Sequence, residues 1–221
     1  MKLLSALLIL IACSTNPIKK TITEAMNTDL KDPSRWSVKK NTIRFKGSLV
    51  SGDCKIFESL LSPQITHLEV NSQGGNIEDG LCIGQKMLKQ NFKEVRVKGF
   101  CLSSCANYLF LAAENKVIEG IVGYHGNLTA LIFEEPELRP QFLALARQER
   151  DFLKTIKVSQ DFFDITQKND KGMQNNRNYP FMLPGPKTFK KYGVQGVTGV
   201  PNKKLLWELQ NKYEANLLET K

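Results

Sequence analysis

From position 41 the chain alternates between two hydrophobic rhythms. In "NTIRFKGSLV", Ile43, Phe45 and Leu49 are separated by polar neighbours, the two-residue period of a half-buried strand. "GDCKIFESLLS" follows and predicts a short helix with Asp53 as its N-cap. "ITHLEVNS" returns to strand spacing. "QGGNIEDGLCIGQKMLKQN" opens on a glycine pair, then places Ile77, Leu81, Gly84 and Leu88 on one helical face. "FKEVRVKG" predicts a third strand. "SSCANYLFLAA" is short and almost wholly apolar, hence a buried helix. "NKVIEGIVGYHG" holds two short strands divided at Gly120.

Strand and helix alternating in this way predict an α/β domain on a mostly parallel sheet. From Glu135 the period becomes purely helical through Leu138, Phe142, Leu145, Phe152 and Ile156, a span of roughly six turns. A helix of that length packs across its own domain or reaches a second copy, so homo-oligomerisation stays open. "SQDFFDITQK" predicts another helix, and "GMQNNRNYPFMLPGP" a loop rich in breakers. "PKTFKKYGVQGVTGV" reads as a short helix stopped at Gly193 and a final strand, and residues 201–221 as a closing amphipathic helix. Residues 13–40 are polar and weakly patterned, with Pro17 and Pro33, and read as a tether; the domain spans 41–200.

The 221 residues are 41% hydrophobic and 24% charged, ordinary globular proportions with enough chain for one sizeable core. The net charge of +9 is spread along the chain, so it reads as a solvated surface drawn to acidic envelope polymers, with no nucleic acid as partner.

Residues 1–12 carry one early lysine and then the apolar run Leu3–Ala12, of signal-peptide length and too short to cross a membrane. The run closes in "LIAC", which resembles the bacterial lipobox. That resemblance implies acylation of Cys13, attachment to the membrane through an N-terminal lipid, and a periplasm-facing lipoprotein. Ser14 after the cysteine points to the outer membrane.

Four cysteines remain: Cys54, Cys82, Cys101 and Cys105. An even number in an exported chain predicts disulfides. Cys101-x-x-x-Cys105 also suits zinc, but the other two are too scattered to complete a site, so no metal is expected.

Three motifs stand at strand ends. In "NSQGG", Gly74 and Gly75 allow close backbone approach and expose N–H groups at the start of a helix. In "GFCLSSCANYLFLAA", a serine lies between strand and helix, where a developing anion is favoured. In "VGYHG", His125 ends the next strand. Together these resemble the Clp protease proteolytic subunit within the crotonase-like superfamily. The C-x-S-x-C form is similar to that of a group of uncharacterised exported bacterial proteins with this fold.

The resemblance covers residues 41–200 and implies a spiral of strand-helix units with C-terminal helices after it. It implies a serine peptidase without cofactor, acting on a peptide or protein. Counting back from Ala112-Ala113 selects Ser104 over Ser103 as nucleophile. His125 is then the general base, and the N–H groups of Gly75 and Cys105 form the oxyanion hole. The family's acidic third member falls in "KNDKGMQNNRNYP", where alignment points to Asn175 or Asn176, with Asp170 nearby and Asp164 a poorer substitute. Ser104 as a plain helix cap, and His125 and His67 as strand-end histidines, are the structural alternatives.

A turn between Cys101 and Cys105 brings positions four apart within reach of a disulfide that would brace the serine, leaving Cys54 and Cys82 as the second pair. Pairing of Cys101 or Cys105 with either of those remains open. The functional expectation is a lipid-anchored envelope serine hydrolase. The alternative is a non-catalytic lipoprotein that binds a peptide or partner protein in the same groove. A thioester-binding crotonase-type site is a weaker third reading, because coenzyme A is not expected outside the cytoplasm.

Overall fold

The computed structural model describes residues 33–129, 139–165, 181–204, 206–207 and 216–218. The predicted units form in order: β2 (Thr42–Lys46), α1 (Asp53–Leu60), β3 (His67–Ser72), α2 (Ile77–Lys89), β4 (Glu94–Leu102), α3 (Cys105–Phe110), β5 (Asn115–Ile118) and β6 (Ile121–Gly123). They are followed by α4 (Arg139–Ile156), β7 (Met182–Pro184), α5 (Pro186–Lys191), β8 (Val197–Gly199) and β9 (Asn216–Leu218). The architecture is the predicted α/β class with a mostly parallel sheet.

With β1 (Trp36–Lys39) at its edge, the main sheet runs β1-β2-β3-β4-β5-β8, with β6 branching from β4. Apart from its first pair, its ladders are parallel. The two-residue period explains the layering, since Ile43, Phe45, Leu68, Val70, Val95 and Val97 all point into the core. Phe57, Ile83, Met87 and Phe92 meet them from the helical layer. α4 closes the far side of that layer. Phe152 rests edge-on against Tyr108, ring centroids 6.1 Å apart, over the gap left by Gly84.

The domain begins before residue 41. Pro33–Arg35 forms a 3-10 turn, and β1 (Trp36–Lys39) pairs antiparallel with β2. The tether reading is corrected over 33–40: β1 is an edge strand with one inward side chain, so its remaining positions look like linker. Trp36 stacks on Phe45 with centroids 4.1 Å apart. Arg35 and Asp53 form a buried two-pronged ion pair at 2.8 and 2.9 Å. Asp53 is therefore no N-cap. It is the first residue of α1 and also accepts from the Trp36 indole and the Val50 N–H, while Gly52 holds the cap position at φ 97°.

Two further expectations change downstream. The "FMLPGP" loop contains β7, and Met182 exchanges both backbone hydrogen bonds with Tyr124. The closing helix survives at 203–204 and 206–207, but Asn216–Leu218 is a strand parallel to β7. An open strand edge offers backbone partners that outweigh local helix preference there. Residues 1–12, Cys13, Asp170, Asn175 and Asn176 lie outside the described residues, as do residues 135–138, where the long helix was expected to begin. Among the described residues no helix is long and apolar enough to cross a membrane.

Candidate active site

β4 is the strand that builds the site, because it changes neighbours partway along. Residues Glu94–Val97 pair with β5, and Phe100–Leu102 pair with β6. On its other side the register with β3 slips between Val70 and Ser72. The slip sets the Asn71 side chain to accept the Phe100 N–H at 2.9 Å, against a backbone that only Gly99 leaves room for. A Cβ on Gly99 would fall 2.4 Å from Asn71 Oδ1, and one on Gly120 would fall 1.9 Å from the Gly99 carbonyl. These glycines let β6 leave the line of β5 and run on toward His125.

Leu102 pairs with Gly123, so the residues just beyond them end two neighbouring parallel strands. Such strands lie about 4.8 Å apart. Ser103 and His125 meet at this edge, with His125 Nε2 2.7 Å from Ser103 Oγ. When Ser103 donates to Nε2, the imidazole proton is on Nδ1.

Ser103 is in the left-handed region at φ 54°, an uncommon place for a non-glycine residue. Both its backbone groups are bonded: its N–H donates to the Gly123 carbonyl at 3.0 Å, and its carbonyl accepts the Asn107 N–H at 2.8 Å. A disulfide closes the same turn. Cys101 is bridged to Cys105 with Cα atoms 5.2 Å apart, and Cys54 to Cys82 at 6.0 Å. The local one of the two expected arrangements is the one formed, and it brackets both serines.

Ser104 lies 3% exposed, and its hydroxyl donates to the Gly75 carbonyl at 2.9 Å. The structure thus turns Ser104 inward and puts Ser103 on the histidine, one residue from the expected nucleophile. The cause is the sign of φ at Ser103, which swings the strand end outward before α3 begins.

Gly74 sits directly behind this turn; a Cβ there would meet the Leu102 carbonyl at 2.4 Å and Ser103 Cβ at 2.8 Å. Gly74 N–H donates to Ser72 Oγ and its carbonyl accepts from Leu49. Leu49 also takes the Asn76 N–H, so the N–H and C=O of Gly75 face away from Leu49, on the side where Ser104 bonds.

His125 itself is exposed, and its ring packs beside Phe181 at 5.6 Å between centroids. The chain after it is held from below. Asn107 Nδ2 donates to the Gly126 carbonyl at 2.7 Å. Glu149, fully buried on α4, accepts from the Thr129 N–H at 2.7 Å, the Thr129 hydroxyl at 2.6 Å and the Tyr108 hydroxyl at 2.5 Å. Burial, then the Glu149 charge, push the Tyr108 phenol well above its usual range, which keeps it a hydrogen-bond donor. Asn127 and Gln160 exchange side-chain hydrogen bonds at 3.1 and 3.2 Å, and Gln160 also donates to Asp164. Asp164 is thereby tied to the loop that carries His125.

Asn71, Asn107 and Glu149 escaped the sequence reading. Of the three only Asn107, a polar residue in the apolar run "CANYLFLAA", carries a mismatch that could have marked it; Asn71 and Glu149 stand among polar neighbours. His67 bonds Asn41 and Thr66 at the opposite ends of the strands, as a structural histidine does. Among the described residues no cluster of three metal-ligating side chains occurs.

The fold and site define an α/β protein with a serine and a histidine at the ends of adjacent parallel strands. No family model matches the chain, and no curated protein matches it. Among solved structures it is similar to a ClpP1 point mutant from Listeria monocytogenes, at 18% identity and a TM-score of 0.44. That match covers 75% of this chain and 94% of the other.

Proposed function

We propose that the protein is a serine hydrolase in which Ser103 is the nucleophile and His125 its general base. The observation that carries this reading is the 2.7 Å contact between Ser103 Oγ and His125 Nε2, made by a serine held at positive φ on a strand-to-helix turn. His125 takes the Ser103 proton as Oγ attacks the substrate carbonyl, then returns it to the leaving group. The N–H groups of Ser104 and Gly75 receive the oxyanion, displacing the expected Cys105 N–H by one residue along with the nucleophile. One such donor is worth about 3 kcal/mol to the transition state. The motif resemblance favours a peptide as acyl donor. The segment expected to supply the third member, with Asp170 and Asn175, follows the loop-holding residues in the chain.

A fluorophosphonate probe tests the reading. Ser103 is labelled in the wild type and in Ser104→Ala, and labelling is lost in Ser103→Ala and His125→Ala. Labelling of Ser104 instead, or none at all in folded protein, removes the proposal in favour of a peptide-binding role.

We also propose that the chain is held at the cell envelope through an acylated Cys13. The apolar run before it supports this, and so do two disulfides of a kind that persist in oxidising compartments. A palmitate analogue should tag the wild type and not Cys13→Ser; equal tagging of both would remove the claim.

A further inference from the structure

Asn107 does not belong in its surroundings. It is 3% exposed in a helix whose other members, Cys105, Ala106, Tyr108, Leu109 and Phe110, are all buried. Its Oδ1 has no hydrogen-bond partner among the described residues. A buried acceptor left so costs about 1–3 kcal/mol, so stability alone would favour an apolar side chain here. Proteins tolerate such costs where geometry is needed for function.

The other atoms of Asn107 show what geometry that is. Its backbone N–H holds the Ser103 carbonyl at 2.8 Å, and its Nδ2 holds the Gly126 carbonyl at 2.7 Å. One residue therefore bonds the peptide unit leaving the serine and the residue following the histidine. Upstream, His125 is fixed by the Tyr124–Met182 pair, and further downstream by Glu149 at Leu128 and Thr129. Neither of those restraints is bonded to Ser103 as well; the bond from the Ser103 N–H to the Gly123 carbonyl joins the same strands but ends two residues before the histidine. Gly126 turns at φ 98°, so its carbonyl direction and the placement of the imidazole are set within one link of each other.

We infer that Asn107 is a positioning residue that holds His125 Nε2 on Ser103 Oγ by tying the two strand ends together. This rests on the Ser103–His125 reading of the site, but its main test does not need activity.

The test is the rate at which diethyl pyrocarbonate modifies His125, with half-buried His67, the only other histidine, as internal reference. Ser103→Ala removes the contact at Nε2 and raises the His125 rate severalfold. Asn107→Leu, which keeps the volume and removes the donor, should raise it to a similar level and leave His67 unchanged. Combining the two should add nothing further, since the contact that Asn107 maintains is already gone. An unchanged His125 rate in Asn107→Leu overturns the inference, and so do independent, multiplying effects. Asn107→Ala repeats the comparison should the leucine disturb cooperative unfolding.

Fluorophosphonate labelling of Ser103 is the second arm. Asn107→Leu should slow it by about ten- to a hundredfold. A wild type that resists the probe removes the hydrolase reading, while the modification rates still decide the role of Asn107.

Discussion

The two halves of β4 share one strand and behave differently. The first, Glu94–Val97, lies in unbroken register between β3 and β5. Its Val95 and Val97 face the core, while Glu94 and Arg96 face out into an ion-pair cluster with Glu119 and Lys98. The second half, Phe100–Leu102, has slipped against β3, exchanged β5 for β6, and ends in a disulfide and a left-handed serine. The first half stabilises; the second presents. The seam is two glycines whose backbones touch, so the site is built by interrupting a ladder and not by adding a loop.

The strongest test breaks the presenting half alone. Ser103→Ala should lower hydrolysis of an activated ester by about a thousandfold or more, with the unfolding midpoint unchanged. Ser104→Ala should do the reverse: activity stays, and the lost hydrogen bond to Gly75 costs about 1 kcal/mol in denaturant unfolding.

Next comes the seam. Gly120→Ala sets a methyl group against the Gly99 carbonyl, a backbone atom that cannot rotate away. A loss of about 3 kcal/mol is expected, together with loss of labelling at Ser103. Full stability in this variant would mean that the strand exchange is loose.

Removing the brace should have a smaller and more selective effect. Cys101→Ala with Cys105→Ala opens a very short loop, for which chain entropy gives about 2 kcal/mol. Activity should fall by more than that stability loss explains, because the turn holding Ser103 is released. Cys54→Ala with Cys82→Ala opens a 28-residue separation and should cost about 3.5 kcal/mol, with little change in the activity of the folded fraction.

The smallest effect at neutral pH belongs to the stabilising half. Lys116, paired in register with Val95, is buried, and desolvation lowers its pKa to about 8 from the ordinary 10.5. Between those values the unfolded chain binds a proton that the native protein has released. Stability from this group therefore rises with pH across that window, by at most about 1.4 kcal/mol per pH unit. Lys116→Met should flatten the slope and leave Ser103 labelling alone.

What was legible follows the same division. The strand-helix units were readable because half-buried strands and one-sided helices repeat with different periods. β1 was not, since an edge strand with one inward residue has no period to show. The serine–histidine contact was readable to within one residue. Two serines stood between the cysteines, and nothing in hydrophobic pattern records which takes positive φ. Asn107 and Glu149 were hidden for the opposite reason, being polar residues inside strong helical patterns. Their partners, Gly126 and Thr129, are distant in sequence and adjacent only after folding.

The Arg35–Asp53 pair has a mechanical consequence. A pull transmitted from the residues before Pro33 enters the domain at the free end of β1, at the position of Trp36, opposite the turn that joins β1 to β2. Load applied there would unzip the antiparallel ladder one rung at a time, the weakest direction for a strand pair. The buried guanidinium–carboxylate grip lies ahead of the first rung, anchored into α1 and to the Ser48 carbonyl. It takes the tension before any rung does and passes it into the helical layer. A domain moored by its N-terminus would in this way feel drag as a tug on α1, and not as peeling of its edge.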